Sequence, residues 1–167
     1  HPGAGMPAPE VEGANFAGEP VAIEADGRAK MLVFLAHWCE FCQQELPEVQ
    51  QWMEAGRLPD AVDLVGVATG IDPQRPNFPP SEWFEREGWS SPVLVDDADN
   101  SVGDAFGVNA YPAWAFLDDQ HQVVSRASGN LTVEQLDAIA EGLAAGVTAD
   151  GAVDGGATSD ADDGSGE

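Results

Sequence analysis

Two nearly continuous apolar runs dominate the hydrophobic pattern of the chain, at residues 30–36 and 62–68. Runs of this length without polar alternation are typical of strands that are buried on both faces. Between them, residues 40–55 place apolar side chains three or four positions apart, which predicts a helix that ends at Gly56. The order strand, helix, strand predicts a parallel crossover.

The second half of the chain predicts antiparallel pairing. Residues 113–117 and 122–128 flank a short polar turn, which is typical of a hairpin. The remaining predicted elements are a strand at residues 21–23, a short helix capped by Ser81, a strand at 93–95, a short helix at 101–106 and a final helix at 133–145 capped by Thr132. No internal repeat is present.

The composition divides the 167 residues into one folded domain and two flanking segments. Residues 1–10 are rich in proline, glycine and alanine, so we expect a flexible segment. Residues 147–167 are mostly glycine, alanine, serine and aspartate, so we expect a disordered acidic tail. The folded domain then comprises residues 11–146.

The charge balance limits the partners that this chain can bind. It has 30 acidic and 6 basic residues, which gives a formal net charge of -24. Such a surface repels nucleic acid and anionic lipid, and it keeps a protein soluble. We therefore expect no nucleic-acid partner, and we also expect a monomer. Salt adaptation and an acidic secreted protein both fit this composition.

The two cysteines of the chain lie three positions apart, directly after the first apolar run. If Cys39 caps the predicted helix, Cys42 lies on its first turn, where two thiols can close a small disulfide ring. The helix amides and dipole would then stabilise the first sulfur as a thiolate, the form that attacks disulfides. This arrangement predicts redox chemistry.

Four motifs together point to a known family. They are WCEFC at residues 38–42, QQELP at 43–47, a proline-rich insertion at 71–89 and VNAYP at 108–112. With these motifs, residues 14–146 resemble the TlpA/ResA-type thiol–disulfide oxidoreductases of the redoxin family. The resemblance implies an α/β thioredoxin fold, in which helices flank a central mixed sheet and an insertion separates a strand from the next helix.

The resemblance also implies roles for the residues of the dithiol motif. Cys39 would be the partly exposed nucleophile, and Cys42 the more buried thiol that resolves the mixed disulfide. Ordinary thioredoxins carry a buried aspartate on the preceding strand, but Val33 occupies that position here. Glu45 is therefore the candidate acceptor of the Cys42 proton, with a solvated helix glutamate as the alternative.

Three residues are candidates for substrate binding. Pro112 matches the cis-proline that faces the dithiol in the thioredoxin fold, with an ordinary trans turn as the alternative. A cis bond there keeps Tyr111 extended, so that its backbone can pair with a partner chain. Trp38 offers either a flat contact surface or a half-buried packing group.

The two residues between the cysteines suggest a redox direction. Glu40 is a carboxylate beside the nucleophile, and Phe41 is an apolar ring. Neither side chain donates a hydrogen bond to the Cys39 thiolate. A less stable thiolate makes the reduced form less favoured, so we expect a more reducing couple than a Pro-His version would give.

We therefore expect an enzyme that exchanges disulfides with exported proteins, with the reductive direction favoured. It needs no cofactor, because the electrons reside on sulfur, and the leading interpretation includes no metal site. A membrane or soluble protein would return the electrons. We expect an extracytoplasmic protein, secreted or membrane-tethered, whose anchor is absent from this chain.

Two alternatives stay open at this point. A metal-handling protein could hold Cu(I) between Cys39 and Cys42, with His37 as a further ligand. A thioredoxin-fold interaction module would use neither thiol.

Overall fold

The computed structural model describes residues 2–146, so the predicted acidic tail lies outside the described residues. The strands are β1 (Val11–Ala14), β2 (Pro20–Ile23), β3 (Ala29–Leu35), β4 (Val62–Ala68), β5 (Val93–Val95), β6 (Ala113–Leu117) and β7 (Val123–Ser128). The helices are α1 (Glu40–Glu54), α2 (Pro80–Arg86), α3 (Ser101–Ala105) and α4 (Val133–Ala144).

Five strands form a mixed central sheet in the order β5-β4-β3-β6-β7. The pairs β3–β4 and β4–β5 are parallel, whereas β3–β6 and β6–β7 are antiparallel. This confirms the parallel crossover and the antiparallel hairpin that the sequence predicts. Strands β1 and β2 form a separate antiparallel ribbon.

Strand β3 is buried on both faces because it lies in the middle of the sheet. Its seven residues are all buried, and successive side chains alternate between the two faces. Met31, Val33 and Leu35 pack in the cluster that includes α1, α2 and α4, whereas Leu32 and Phe34 pack in the cluster that includes α3. The continuous apolar run therefore reflects helices on both sides of the sheet.

The topology brings the dithiol and the predicted cis-proline to one edge of the sheet. β3 ends at Leu35, shortly before α1 begins at Glu40. Its antiparallel neighbour β6 begins at Ala113, which pairs with Phe34. Cys39 and Pro112 therefore both lie just outside this edge.

Two local predictions differ from the structure. The sequence predicts no strand at residues 11–14, whereas in the structure these four residues pair with β2 and Gly13 lies against Leu94. The expected cap Ser81 is wrong: α2 begins at Pro80, with Pro79 as its N-cap residue. Proline suits the first helical position because the N–H that it lacks has no partner there.

The N-terminal segment makes definite contacts in the structure. The Gly5 N–H donates to the Val123 carbonyl at 2.8 Å, and the Ala8 N–H donates to the His121 carbonyl at 2.9 Å. Pro7 forms an isolated antiparallel bridge with Gln122. These bonds align the segment with β7, while its flexibility stays a prediction.

We predict that the stability of the fold depends on the side chains buried between the central sheet and its helices rather than on the exposed rings. Phe116→Ala removes a ring that is 1% exposed, and we expect a loss of about 3–5 kcal/mol in the free energy of unfolding. Phe41→Ala removes a ring that is 60% exposed, and we expect a change within about 0.5 kcal/mol. Urea denaturation under reducing conditions measures both, and equal losses would contradict the packing described above.

Candidate active site

The first thiol lies at the start of α1. Cys39 is the N-cap residue of this helix, and its Sγ accepts a hydrogen bond from the Cys42 N–H at 3.3 Å. The Cys39 thiol also points to the Tyr111 carbonyl oxygen, at 3.5 Å. Both cysteines are free thiols. The sulfur therefore lies between the helix amides and the backbone that precedes Pro112.

The second thiol is shielded more completely than the first. Cys42 is 0% exposed and Cys39 is 8% exposed, so Cys39 is the more accessible thiol, as the resemblance implies, although it is buried rather than partly exposed. The Cys42 Sγ accepts a hydrogen bond from the Ala36 N–H at 3.4 Å. Burial raises the pKa of the Cys42 thiol strongly, and the neighbouring Cys39 and the Glu45 carboxylate raise it further. Cys42 thus needs a proton acceptor to react at neutral pH.

Glu45 lies on the inward face of α1 and is fully buried. The alternative of a solvated helix glutamate is therefore wrong. Its Oε2 accepts hydrogen bonds from Trp114 Nε1 at 2.9 Å and from the Leu131 N–H at 3.0 Å, and its Oε1 accepts one from Asn130 Nδ2 at 3.0 Å. Burial raises the pKa of the Glu45 carboxyl group, although these three donors partly offset the shift.

Asn130 is a site residue that the sequence analysis did not identify. Besides its bond to Glu45, its Nδ2 donates to the Phe41 carbonyl oxygen on the first turn of α1, at 3.0 Å. Asn130 is 85 positions from Glu45, so no local pattern could reveal the contact. The burial of Glu45 itself had a signal, because it falls between Cys42 and Val49 in the three-to-four spacing of the inward helix face.

The Tyr111–Pro112 peptide bond is cis in the structure, as the resemblance predicts, and not part of a trans turn. The Tyr111 ring is half-buried and lies edge-on to Trp38, with 5.8 Å between the ring centroids. Burial raises the pKa of the Tyr111 hydroxyl group, so this side chain stays neutral at physiological pH.

Trp38 is half-buried, and both its indole N–H and its ring face contact other parts of the protein. Its Nε1 donates to the Gly70 carbonyl oxygen at 2.7 Å. The guanidinium carbon of Arg75, on the insertion, lies 3.6 Å from the centroid of the Trp38 ring. The structure therefore shows the half-buried packing role of Trp38, while its contact with a substrate stays a prediction.

His37 fastens the insertion to the dithiol loop. Its Nε2 accepts a hydrogen bond from the Asp72 N–H at 3.1 Å, so its Nδ1 carries the proton and donates to the Pro76 carbonyl oxygen at 2.9 Å. The ring is 1% exposed. Its lone pair is thus already in use, and His37 could act as a copper ligand only if the bond to Asp72 broke.

Comparisons with known proteins agree with this geometry. The family model described as Redoxin matches residues 3–141. The thiol-disulfide oxidoreductase ResA of Halalkalibacterium halodurans is 22% identical over 74% of this chain and 68% of its own length. The thiol:disulfide interchange protein HelX of Rhodobacter capsulatus is 29% identical over 79% of this chain and 74% of its own length.

Solved structures share the fold. MTB DsbF, in its mixed oxidized and reduced forms, is 30% identical, with a TM-score of 0.67 over 80% of this chain and 94% of that chain.

For some relatives the sequence match covers less of the protein. The ResA proteins of Geobacillus thermodenitrificans and Geobacillus kaustophilus are each matched over only 60% of their length.

The fold and the dithiol define a thioredoxin-fold thiol–disulfide oxidoreductase. The chain belongs to the redoxin family, and within it to the TlpA/ResA-like proteins. Among residues 2–146, no helix has both the length and the apolar character that a membrane crossing requires.

We predict that the Glu45 carboxyl group makes the stability of the protein depend on pH. Its pKa in the folded state lies above the ordinary value of 4.5, so the folded protein binds this proton more tightly than the unfolded chain does. The stabilisation is therefore complete below about pH 4.5 and is lost as the pH rises through the raised pKa. Relative to Glu45→Gln, the wild-type free energy of unfolding should fall as the pH rises from 4 to 8.

Chemical denaturation in the presence of reductant measures this difference. The control is Glu54→Gln, which removes an exposed carboxylate at the end of the same helix, one that does not contribute to the raised Glu45 pKa, and it should leave the pH dependence nearly unchanged. If the wild-type protein instead became more stable relative to Glu45→Gln as the pH rose, the prediction would be wrong. The three hydrogen-bond donors would then lower the Glu45 pKa by more than burial raises it.

Proposed function

We propose that this oxidoreductase reduces disulfides in exported proteins through Cys39 and Cys42. The observation that carries the proposal is the position of the Cys39 sulfur, which lies at the N-terminus of α1 and 3.5 Å from the Tyr111 carbonyl oxygen. A sulfur at this point is the part of the dithiol nearest to a partner, whereas Cys42 is fully buried behind it.

The reaction takes two displacement steps. The Cys39 thiolate attacks one sulfur of the substrate disulfide, so that a mixed disulfide forms and one substrate thiolate leaves. Cys42 then loses its proton and attacks the Cys39 sulfur. The Cys39–Cys42 disulfide forms, the second substrate thiolate leaves, and both thiolates take up protons. Two electrons pass from the enzyme dithiol to the substrate.

Glu45 is the proposed acceptor of the Cys42 proton. It lies three positions further along the inward face of the same helix. Burial raises the pKa of the Glu45 carboxyl group towards neutral pH. A group whose pKa lies near the working pH can both accept and return a proton. Trp114, Leu131 and Asn130 would hold the carboxyl group in place during the transfer.

Trp38, Tyr111 and Pro112 are the proposed contacts of the substrate chain. A substrate strand that lies beside Tyr111 could pair with the backbone of that residue in an extended conformation. The ring of Trp38 and the ring of Tyr111 border the same position, since they contact each other next to Cys39. These rings would then select substrates by shape around the target disulfide.

The reductive direction rests on Glu40. This carboxylate is exposed and adjacent to Cys39, so its negative charge repels that of the Cys39 thiolate. A carboxylate donates no hydrogen bond that would offset this repulsion. An electron-donor protein, membrane-bound or soluble, would restore the dithiol after each cycle. An extracytoplasmic location follows from the resemblance to secreted and membrane-tethered proteins and belongs to the same proposal.

We predict that Cys42→Ser traps the intermediate. With a peptide homodimer linked by one disulfide, this variant should retain one peptide on Cys39 and release the other as a thiol. Cys39→Ser should form no comparable adduct, because Cys42 is buried. Intact-protein mass measures the adduct, and equal labelling of both variants would refute the assignment of nucleophile and resolving thiol.

We predict a reducing potential that depends on Glu40. Equilibration with glutathione should give a value nearer to the about -270 mV of thioredoxin than to the about -120 mV of a strong periplasmic oxidant. Glu40→Gln should make the potential less negative, and Glu48→Gln, two turns further along α1, should shift it less. A wild-type potential close to that of the strong oxidant would overturn the reductive direction.

A further inference from the structure

Most basic side chains in the described part of the chain have an evident structural partner. Three of the six form ion pairs, namely Arg28 with Asp63, Lys30 with Asp26 and Arg57 with Asp137. Two more donate to uncharged oxygens, namely Arg86 to Asn77 Oδ1 and Arg126 to the Gly107 carbonyl. Arg75 is different, because its contact is the Trp38 ring.

Arg75 is exposed, and within residues 2–146 no carboxylate lies within ion-pair distance of it. A guanidinium group that lies over an aromatic face uses its π-surface for the contact and keeps the N–H groups along its edge available. Those N–H groups form the planar fork that binds a carboxylate in a bidentate manner. Arg75 therefore offers an unused carboxylate-binding group.

The location of this group is fixed beside the dithiol. Trp38, which carries the guanidinium on its face, immediately precedes Cys39 and is itself held by Gly70 and Tyr111. The loop that bears Arg75 is fastened by the bond between the Asp72 N–H and His37. A substrate that reacts at Cys39 would thus bring its neighbouring residues near Arg75.

Two carboxylates in this region of the chain, Glu40 and Asp72, form no ion pair with Arg75. Glu40 is exposed at the start of α1, and Asp72 Oδ1 accepts the Gln74 N–H within its own turn. At physiological salt the screening length is about 8 Å, so a carboxylate in direct contact with Arg75 responds to that guanidinium group more than to the net charge of the whole protein. In a chain with 30 acidic residues, a cation that has no ion-pair partner among residues 2–146 gives the site a local positive group.

We propose that Arg75 is a specificity-determining residue that binds a carboxylate of the substrate chain next to the target disulfide. The proposal rests on the reductive function given above and adds the substrate class: disulfides with an aspartate or glutamate near the reacting cysteine. Arg75 acts on binding and orientation, and the sulfur chemistry is that of Cys39 and Cys42.

The test compares two peptide homodimers, each linked by one disulfide, with either glutamate or glutamine on both sides of the cysteine. The measured quantity is the ratio of the second-order rate constants for the Glu and Gln peptides, for wild type and variants. We expect Arg75→Gln to lower this ratio at least threefold and Arg75→Lys to lower it less, because lysine keeps the charge but loses the planar fork. The effect should shrink in 1 M NaCl.

Arg28→Gln is the matched control. It removes the same charge from the residue just before β3, at the opposite end of that strand from the dithiol, so the ratio should not change. An equal loss with both peptides in Arg75→Gln would overturn the proposal, since it would place the effect on the thiol rather than on the substrate. An unchanged ratio would overturn it as well.

Failure of the reductive function would look different. A wild-type enzyme that reduces neither peptide would refute the proposed function together with this inference. A wild-type enzyme that reduces both peptides, with a ratio independent of Arg75, would refute the carboxylate contact alone.

Discussion

The buried carboxyl group of Glu45 joins three segments that are distant in the sequence. It belongs to α1, and it accepts hydrogen bonds from Trp114 on β6 and from Asn130 and Leu131 in the connection before α4. A carboxyl group buried without partners is costly, so these donors restrict how α1 can lie against the sheet. The same restriction buries Cys42 and leaves Cys39 at the helix start, and the asymmetry of the two thiols follows from it.

The insertion at residues 71–89 packs against the loop that carries the dithiol. His37 and Trp38, the two residues before Cys39, are bonded to the insertion and to the end of β4 through Asp72, Pro76 and Gly70. A loop with several prolines thus obtains its order from contacts with the dithiol loop rather than from regular structure. It also carries the cation that lies over Trp38, and so it brings both shape and charge to the edge of the site.

The elements of the fold were largely predictable, because long apolar runs and helical spacing of apolar residues indicate strands and helices whatever the neighbouring elements are. The strand at residues 11–14 was not, since four residues with an internal glycine depend on pairing with β2 for their conformation. The start of α2 differed because proline at the first helical position made a serine cap unnecessary. Cys39, Cys42 and Glu45 could be named from spacing and resemblance, whereas Asn130 could not, because its contact with Glu45 crosses 85 positions.

The sequence by itself determined the spacing of the two thiols, the helix that follows them and the strongly acidic composition, because each is a property of neighbouring residues or of their sum. Only the tertiary structure decided that Glu45 is buried and bonded, that His37 has no free lone pair, and that Arg75 lies over Trp38 without a carboxylate partner in the described chain. These properties depend on which surfaces the chain brings together. Desolvation and hydrogen bonding at those surfaces determine which groups are protonated and which remain available to a partner.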